Sequence, residues 1–286
     1  MIQKYLKITN IVVFFIFILI FINSCSSSSI EKKDNLRVVS LAPSITEIFI
    51  YLNKPENLVG ITRFSKNFKQ LSNVEIVGGI VDFSIEKIIS LKPDIILYTP
   101  AQESRVNKIT GIKKLKIEQN SIDNIIRSIN IVSKLLNIND TNNTIEYKKF
   151  LSTIKNKYKN TKRKKGLVVV YLSSLNKDNI SFYVAGKRTY YNDILTLFNI
   201  ENVCDSSLSY YKLSLEDIIK LNPEIIFDFS IGDSLKNVKP LFKLKKNVNL
   251  ISIKTQYASI PGPISVKKLI EEIDVKLKKN ELVSSK

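Results

Sequence analysis

The side chains that most often carry out chemistry are scarce in this chain. It has no histidine, two cysteines and one methionine among 286 residues. A serine nucleophile served by a histidine base cannot be assembled from it, and histidine-ligated haem is excluded. A bare zinc or manganese site usually draws on imidazole, thiolate or several carboxylates, so it too would be hard to build. No Walker loop, GxGxxG or HExxH pattern occurs. Nothing marks an enzyme, and neither a resident cofactor nor a protein-held metal is expected. What the chain does hold is recognition chemistry. Its 12 tyrosines offer large flat contacts for a ligand. Its arginines and lysines could pair with an anionic ligand.

Two acids stand out by their setting. SIEKIISLKPDIILY begins at Ser84 and SLEDIIKLNPEIIFD begins at Ser214, with eight of fifteen positions identical. The copies place Glu86 and Glu216 at the same point. Ser84 or Ser214 can cap a helix, the isoleucines and leucine that follow supply its apolar face, and Pro93 or Pro223 stops it. DIILY or EIIFD then reads as a short buried strand. Two readings of the glutamates stand side by side. A first-turn acid is favoured by the helix macrodipole by roughly 0.3–1 kcal/mol with no partner at all. Alternatively, the recurrence marks two equivalent contact points.

These residues need a scaffold, and the repeat supplies it. A helix feeding an apolar strand is the pattern of a parallel sheet with helices on its faces. TEIFIYLNKPENLVG from Thr46 and NDILTLFNIENVCD from Asn192 form a weaker second echo, each after a strand, 37–42 and 166–174. The expected fold is α/β, with two similar lobes of small parallel sheets flanked by helices, spanning 36–118 and 166–286. Between them, 119–165 reads as one or two helices, the second of about 25 residues and on the order of 35–40 Å long.

The first 24 residues read as a signal peptide. Lys4 and Lys7 precede twelve apolar residues, Ile11 to Ile22, short of the roughly 20 that span a bilayer and suited to a leader. Cys25 follows a small residue and precedes four serines, which reads as a lipidation site followed by a flexible tether, 25–35. The expected location is extracytoplasmic, attached to a membrane through lipid on Cys25. With Cys25 so used, no intramolecular disulfide is available, and Cys204 is expected as a buried small hydrophobe. The net charge of +18 is mostly scattered lysine, read as solvated surface. No nucleic-acid motif accompanies it, and no nucleic-acid partner is expected. The compact run KRKK, 162–165, is expected at a helix end.

Ligand contacts in α/β lobes come from loops at the carboxyl ends of strands. That rule selects Pro43 and Ser44, Arg63 and Phe64, Gly79, and Tyr98 with Thr99 and Pro100 in the first lobe. In the second it selects Ser173, Lys187, Arg188, Tyr190, Tyr210, Tyr211 and Tyr257. A partly buried packing role is the alternative for each tyrosine, and surface charge is the alternative for each cation. Tyrosine-ligated haem stays open, with Tyr98, Tyr190, Tyr210 or Tyr257 available.

RVVSLAPSITEIFIYLN, LVGITRFS, VGG and SIEKIISLKPDIIL, in that order, resemble the N-terminal lobe of the periplasmic substrate-binding proteins for iron chelates and vitamin B12. AGKRTYYNDIL, ENV, SLEDIIKLNPEIIF and PGPISVKKLIEEI resemble the C-terminal lobe. The likeness runs from Leu36 to Ile273. It implies two α/β lobes joined by one long helix, with the ligand in the cleft between them. It implies a monomer that captures a metal chelate (ferric siderophore, haem or cobalamin) and presents it to an ABC permease dimer with its ATPase. It also implies that Glu86 and Glu216 dock on arginines of the two permease subunits. In the cobalamin branch, tryptophan and tyrosine stand where this chain has Tyr210 and Phe64. The lack of tryptophan and the cations near the expected loops tilt the expectation toward a ferric chelate. A surface adhesin that kept the fold and lost transport is the alternative.

Overall fold

The apolar triplet Val38–Ser40 forms the first strand, β1, with every side chain buried. The computed structural model describes residues 36–138, 141–174, 180–205, 208–230, 248–253 and 255–284. The leader, Cys25 and the tether therefore lie outside the described residues.

The first lobe is a five-stranded sheet. β1 is joined by β2 (Leu58–Thr62), β3 (Glu75–Gly78), β4 (Ile95–Tyr98) and β5 (Lys113–Lys116), in the order β3-β2-β1-β4-β5. Every pairing is parallel. Helix α1 (Pro43–Tyr51) follows β1, and its N-terminal proline costs nothing where no intrahelical N–H bond is due. Helices α2 (Ile85–Ser90) and α3 (Glu103–Val106) flank the other strands. Parallel order forces each strand to be followed by a return over the sheet, so every loop after a strand opens at the same edge.

The second lobe is a six-stranded sheet. It comprises β6 (Lys164–Ser174), β7 (Ile180–Ala185), β8 (Ile200–Asn202), β9 (Tyr210–Leu213), β10 (Ile225–Asp228) and β11 (Asn249–Ser252). β10 lies parallel to β6 and to β11, while β7 runs antiparallel to β6 and to β9. Helices α6 (Tyr190–Leu197), α7 (Leu215–Leu221) and α8 (Pro263–Ser284) complete it. Strand alternation divides the core: Leu167 and Val169 face one side with Ile226, and Val168 faces the other with Phe227.

The repeated acids Asp94 and Glu224 now have a shared structural role. Asp94 Oδ2 accepts the backbone N–H of Arg37 at 2.8 Å, and Glu224 Oε2 accepts that of Lys165 at 2.8 Å. Each fixes the entry of its lobe's central strand.

The connection between the lobes is two helices, within the one or two read from sequence, and the second is shorter than the roughly 25 residues expected. It consists of α4 (Ile122–Leu135) and α5 (Thr141–Tyr158), the second 18 residues long, or about 27 Å. α5 stops short because Lys164 and Lys165 pair with Ile200 and Glu201 in the sheet. Half of the KRKK run is therefore strand, not helix end. The inner faces of both helices, including Ile125, Ile129 and Tyr147, are buried, and Ile122, Ile125, Tyr147 and Leu151 join the core beneath the second sheet.

A further link was not foreseen. α8, from the chain's end, packs against α1 of the first lobe. The fully buried Glu47 of α1 accepts the Ser265 backbone N–H at 2.9 Å through Oε2, and its Oε1 bonds the Ser265 hydroxyl. A side chain at Gly262 would collide with that carboxylate. Burial pushes the Glu47 pKa up from 4.5 to about 7, against the pull of the Ser265 bonds and of Lys268.

Candidate functional site

The carboxyl ends of the first sheet open on a cavity of about 810 Å³, within the range of about 300–1,000 Å³ typical of small-molecule sites. The start of α1 contributes Ala42, Pro43 and Ser44. The turn after β2 contributes Arg63, Phe64 and Asn67, and Ile80 follows β3. Residues 99–102 follow β4 and residues 118–120 follow β5. The second lobe supplies Tyr190 at the start of α6, Tyr210 at the start of β9, and Ser259, Ile260 and Pro261 ahead of α8.

Eight of the residues expected from sequence are thus gathered at one place: Pro43, Ser44, Arg63, Phe64, Thr99, Pro100, Tyr190 and Tyr210. Phe64 is 53% exposed and Tyr210 47%, so two rings stand open at the cavity. Tyr190 is buried, with its ring stacked on Tyr191 at 4.1 Å between centroids. Its hydroxyl donates to the Ala258 carbonyl at 2.8 Å. Burial pushes its pKa well up, so it presents a neutral phenol edge and not a phenolate. Arg63 donates to Asp82 Oδ2 at 2.6 Å, and that bond holds the Asp82 carboxyl below its usual value.

The other expected residues are placed elsewhere. Tyr98 is 7% exposed and packs in the first lobe's core with Val39, Phe83 and Ile88. The strand's last side chain points inward, and Thr99 to Gln102 take the place at the cavity. Gly79 is not in the lining. A Cβ there would strike Asp82 and lie 3.3 Å from Arg63 Cζ, so its role is to let that ion pair close. Lys187 pairs with Asp205 at 2.8 Å on the surface, and Arg188 is exposed and away from the cavity. Tyr211 neighbours Tyr210 on β9, so alternation turns it to the opposite face, where it packs beside Cys204. Cys204 is fully buried, and burial raises its pKa. Ser173 lies in β6, and its side chain is outside the described residues.

Tyr257 lines a second cavity of about 360 Å³ that shares Phe64, Asn67 and Ile260 with the first. Lys268 Nζ stands 4.3 Å from its ring centroid. Glu86 and Glu216 are exposed in the first turns of α2 and α7 and line neither cavity.

Sequence reasoning passed over Gln102, Glu118, Gln119 and Asn120. The last three follow β5, whose sequence KKLK is an edge strand with three lysines. It carries none of the apolar pattern that marks a strand, so the strand-end rule was never applied to it. The lining's formal charges are Arg63 and Glu118, and the first is already paired. Of the cations that tilted the sequence expectation toward a ferric chelate, Lys187 and Arg188 are not in the lining and Arg63 is bonded to Asp82.

Comparison with known proteins places this architecture. Residues 38–239 match the family model described as periplasmic binding protein. An uncharacterized ABC transporter substrate-binding lipoprotein of Bacillus subtilis, YvrC, is 29% identical over 207 residues, covering 68% of this chain. This chain spans 64% of that relative, a little under two thirds of its length. A vitamin B12-binding protein of Vibrio parahaemolyticus is 24% identical over 260 residues, covering 86% of this chain and 91% of the relative. The solved structure of the periplasmic heme-binding protein HutB of Vibrio cholerae has a TM-score of 0.68 at 20% identity, covering 85% of this chain and 98% of that one. The chain belongs to the periplasmic binding protein family, and its fold is that of solute-binding proteins.

Proposed function

We propose that this chain is the substrate-binding lipoprotein of an ABC importer, with no catalytic activity. It captures a metal chelate (a ferric siderophore, haem or cobalamin) in the cleft and hands it to a permease. The observation that carries the reading is the cavity of about 810 Å³ walled by both lobes, with Phe64, Tyr190 and Tyr210 as ring contacts. A flat macrocycle or an aryl chelate is the solute class such rings favour. The relatives named for vitamin B12, for heme and for an ABC transporter lipoprotein support the same class.

Cys25 carries the lipid that keeps the domain at the membrane, with 26–35 as tether. Glu86 and Glu216, exposed at matching points of the two lobes, dock on cationic residues of the two permease halves. Metal arrives only inside the chelate, and the protein acts as a monomer.

Calorimetric titration of the chain from Ser26 onward, which contains the compact unit Arg37–Lys286, tests this against ferric siderophores, haemin and cyanocobalamin. Sub-micromolar binding of one of them is expected. Folded, ligand-free protein that binds none of the three classes would sink the reading.

A further inference from the structure

The second lobe leaves a row of rings open to solvent. Leu172, Phe182, Val184 and Tyr211 turn toward the core on one face of the sheet, so alternation turns Tyr171, Tyr183 and Tyr210 to the other. These three are 53%, 39% and 47% exposed. Tyr171 stands directly opposite Tyr183 in the β6–β7 ladder, with ring centroids 5.7 Å apart. Tyr183 stands opposite Lys212 on β9, two residues from Tyr210, which sets Tyr183 and Tyr210 on a diagonal of about 7–8 Å. Tyr210 lines the cavity. The row therefore starts at the cavity and runs outward along the hairpin. Strand register gives its direction. β10 ends at Asp228, level with Val169, so among the described strands residues 171–174 of β6 pair with β7 alone. The hairpin reaches past the carboxyl edge of its sheet, the edge at which α/β lobes hold their ligands.

A cross-strand ring pair steadies a hairpin, and that explains why Tyr171 and Tyr183 touch. It does not explain why three neighbouring rings stay open, since exposed apolar groups on a folded surface are normally scattered singly. Their continuity with the cavity makes the bound solute the group that covers them. An aryl group stacks on such rings. Charge narrows the class. Lys212 is exposed on the same face, beside Tyr183, so an aryl group bearing negative charge, such as a catecholate, meets both a ring and a cation. Resting on the solute-binding reading above, we propose that Tyr210, Tyr183 and Tyr171 form a second subsite of the cleft, which takes an anionic aryl arm of a chelate whose metal core sits in the cavity. Tyr171 and Tyr183 thus determine specificity, selecting aryl-armed chelates over those without aryl groups.

The full chain in detergent is titrated with ferric enterobactin, a tris-catecholate, and with ferrichrome, a hydroxamate chelate without aryl groups. Haemin and cyanocobalamin complete the set. Wild type is expected to bind ferric enterobactin about tenfold more tightly than ferrichrome. In Tyr171→Thr with Tyr183→Thr, which keeps β-branched residues on the strands, ferric enterobactin should weaken about tenfold and ferrichrome should not change. Unchanged affinity for ferric enterobactin, in a double variant whose melting temperature holds, overturns the proposal. If uptake by cells falls all the same, the tyrosines face the permease instead. Should the double variant fail to fold, Tyr171→Thr alone is read in the same way, with a loss of about threefold expected. Wild type that binds ferrichrome as tightly as ferric enterobactin, or that binds only haemin or cyanocobalamin, overturns the subsite and leaves the transport reading standing. Binding of none of the four removes both.

Discussion

Glu47 in α1 and Asp193 in α6 occupy matching places in the two lobes, within the echo Thr46-Glu47-Ile48 and Asn192-Asp193-Ile194. Both acids seat the N-terminus of another helix. Glu47 accepts the N–H of Ser265 in the first turn of α8, and Asp193 accepts that of Ile122 in the first turn of α4 at 2.8 Å. Helix N-termini leave N–H groups unpaired and carry partial positive charge, so an acid suits both places. The difference is depth: Glu47 is fully buried and Asp193 half-buried. Burial raises both pKa values, that of Glu47 to about 7. A duplicated geometry has thus been kept, while its depth decides how close to neutrality the acid titrates.

The exposed pair Glu86 and Glu216 shows a second divergence. Ser84 caps its helix through Lys87 N–H at 3.1 Å and donates its hydroxyl to Glu86 at 2.8 Å. In the other lobe Asp217 stands where Lys87 does and takes the Ser214 hydroxyl itself, at 2.8 Å. Glu216 makes no hydrogen bond or ion pair among the described residues. The two helices cap themselves differently, yet both keep the first-turn glutamate that the macrodipole favours.

The largest effect should come from that pair. Reversing both charges, Glu86→Arg with Glu216→Arg, is expected to lower ligand uptake by cells on the order of 100-fold, as loss of interfacial charge pairs worth 2–5 kcal/mol would give. Calorimetric affinity for the ligand should not change. Undiminished uptake in the double variant would remove their docking role.

The buried pair should separate by depth. Glu47→Ala is expected to lose about 3 kcal/mol of stability in urea unfolding, through a cavity and an unsatisfied Ser265. Asp193→Ala should lose about 1 kcal/mol, the usual worth of a cap. Equal losses would mean that depth is irrelevant. The pH dependence follows from the raised pKa. The folded state favours protonated Glu47, so its contribution is full below about 4.5 and is lost as pH rises through about 7. The span corresponds to about 3 kcal/mol. Glu47→Gln, which mimics the protonated acid, should flatten the stability profile across that window.

The smallest effect concerns the residue before each repeat's proline. Lys92 and Asn222 both adopt left-handed backbone, with φ of 47° and 52°, a conformation asparagine tolerates better than lysine. Lys92→Asn should stabilise by about 1 kcal/mol and Asn222→Lys destabilise by a similar amount. The same sign at both positions in thermal unfolding would break the equivalence.

The lobes were legible in the sequence because each copy carries its own start and stop signals. Buried strands such as IILY and IIFD announced themselves by unbroken apolar runs. β5 did not, because an edge strand exposed on one side tolerates lysine, and the cavity wall behind it went unseen. Tyr98 and Tyr211 were misplaced for another reason. Proximity to a strand end says which residues are near a cleft, but alternation along the strand decides which of them face it. The α1–α8 contact lay beyond sequence reach, since nothing local to Glu47 or Ser265 announces a partner 218 residues away.

That separation also orders assembly in time. Exported chains emerge from the N-terminus, so the first lobe's strands are all across the membrane while Glu47 still lacks its seat. The first lobe is completed by a helix that lies 218 residues further along the chain. A chain cut just before Gly262 would therefore injure the lobe farthest from the cut, leaving a bare acid in the interior of a sheet domain whose own residues are all present.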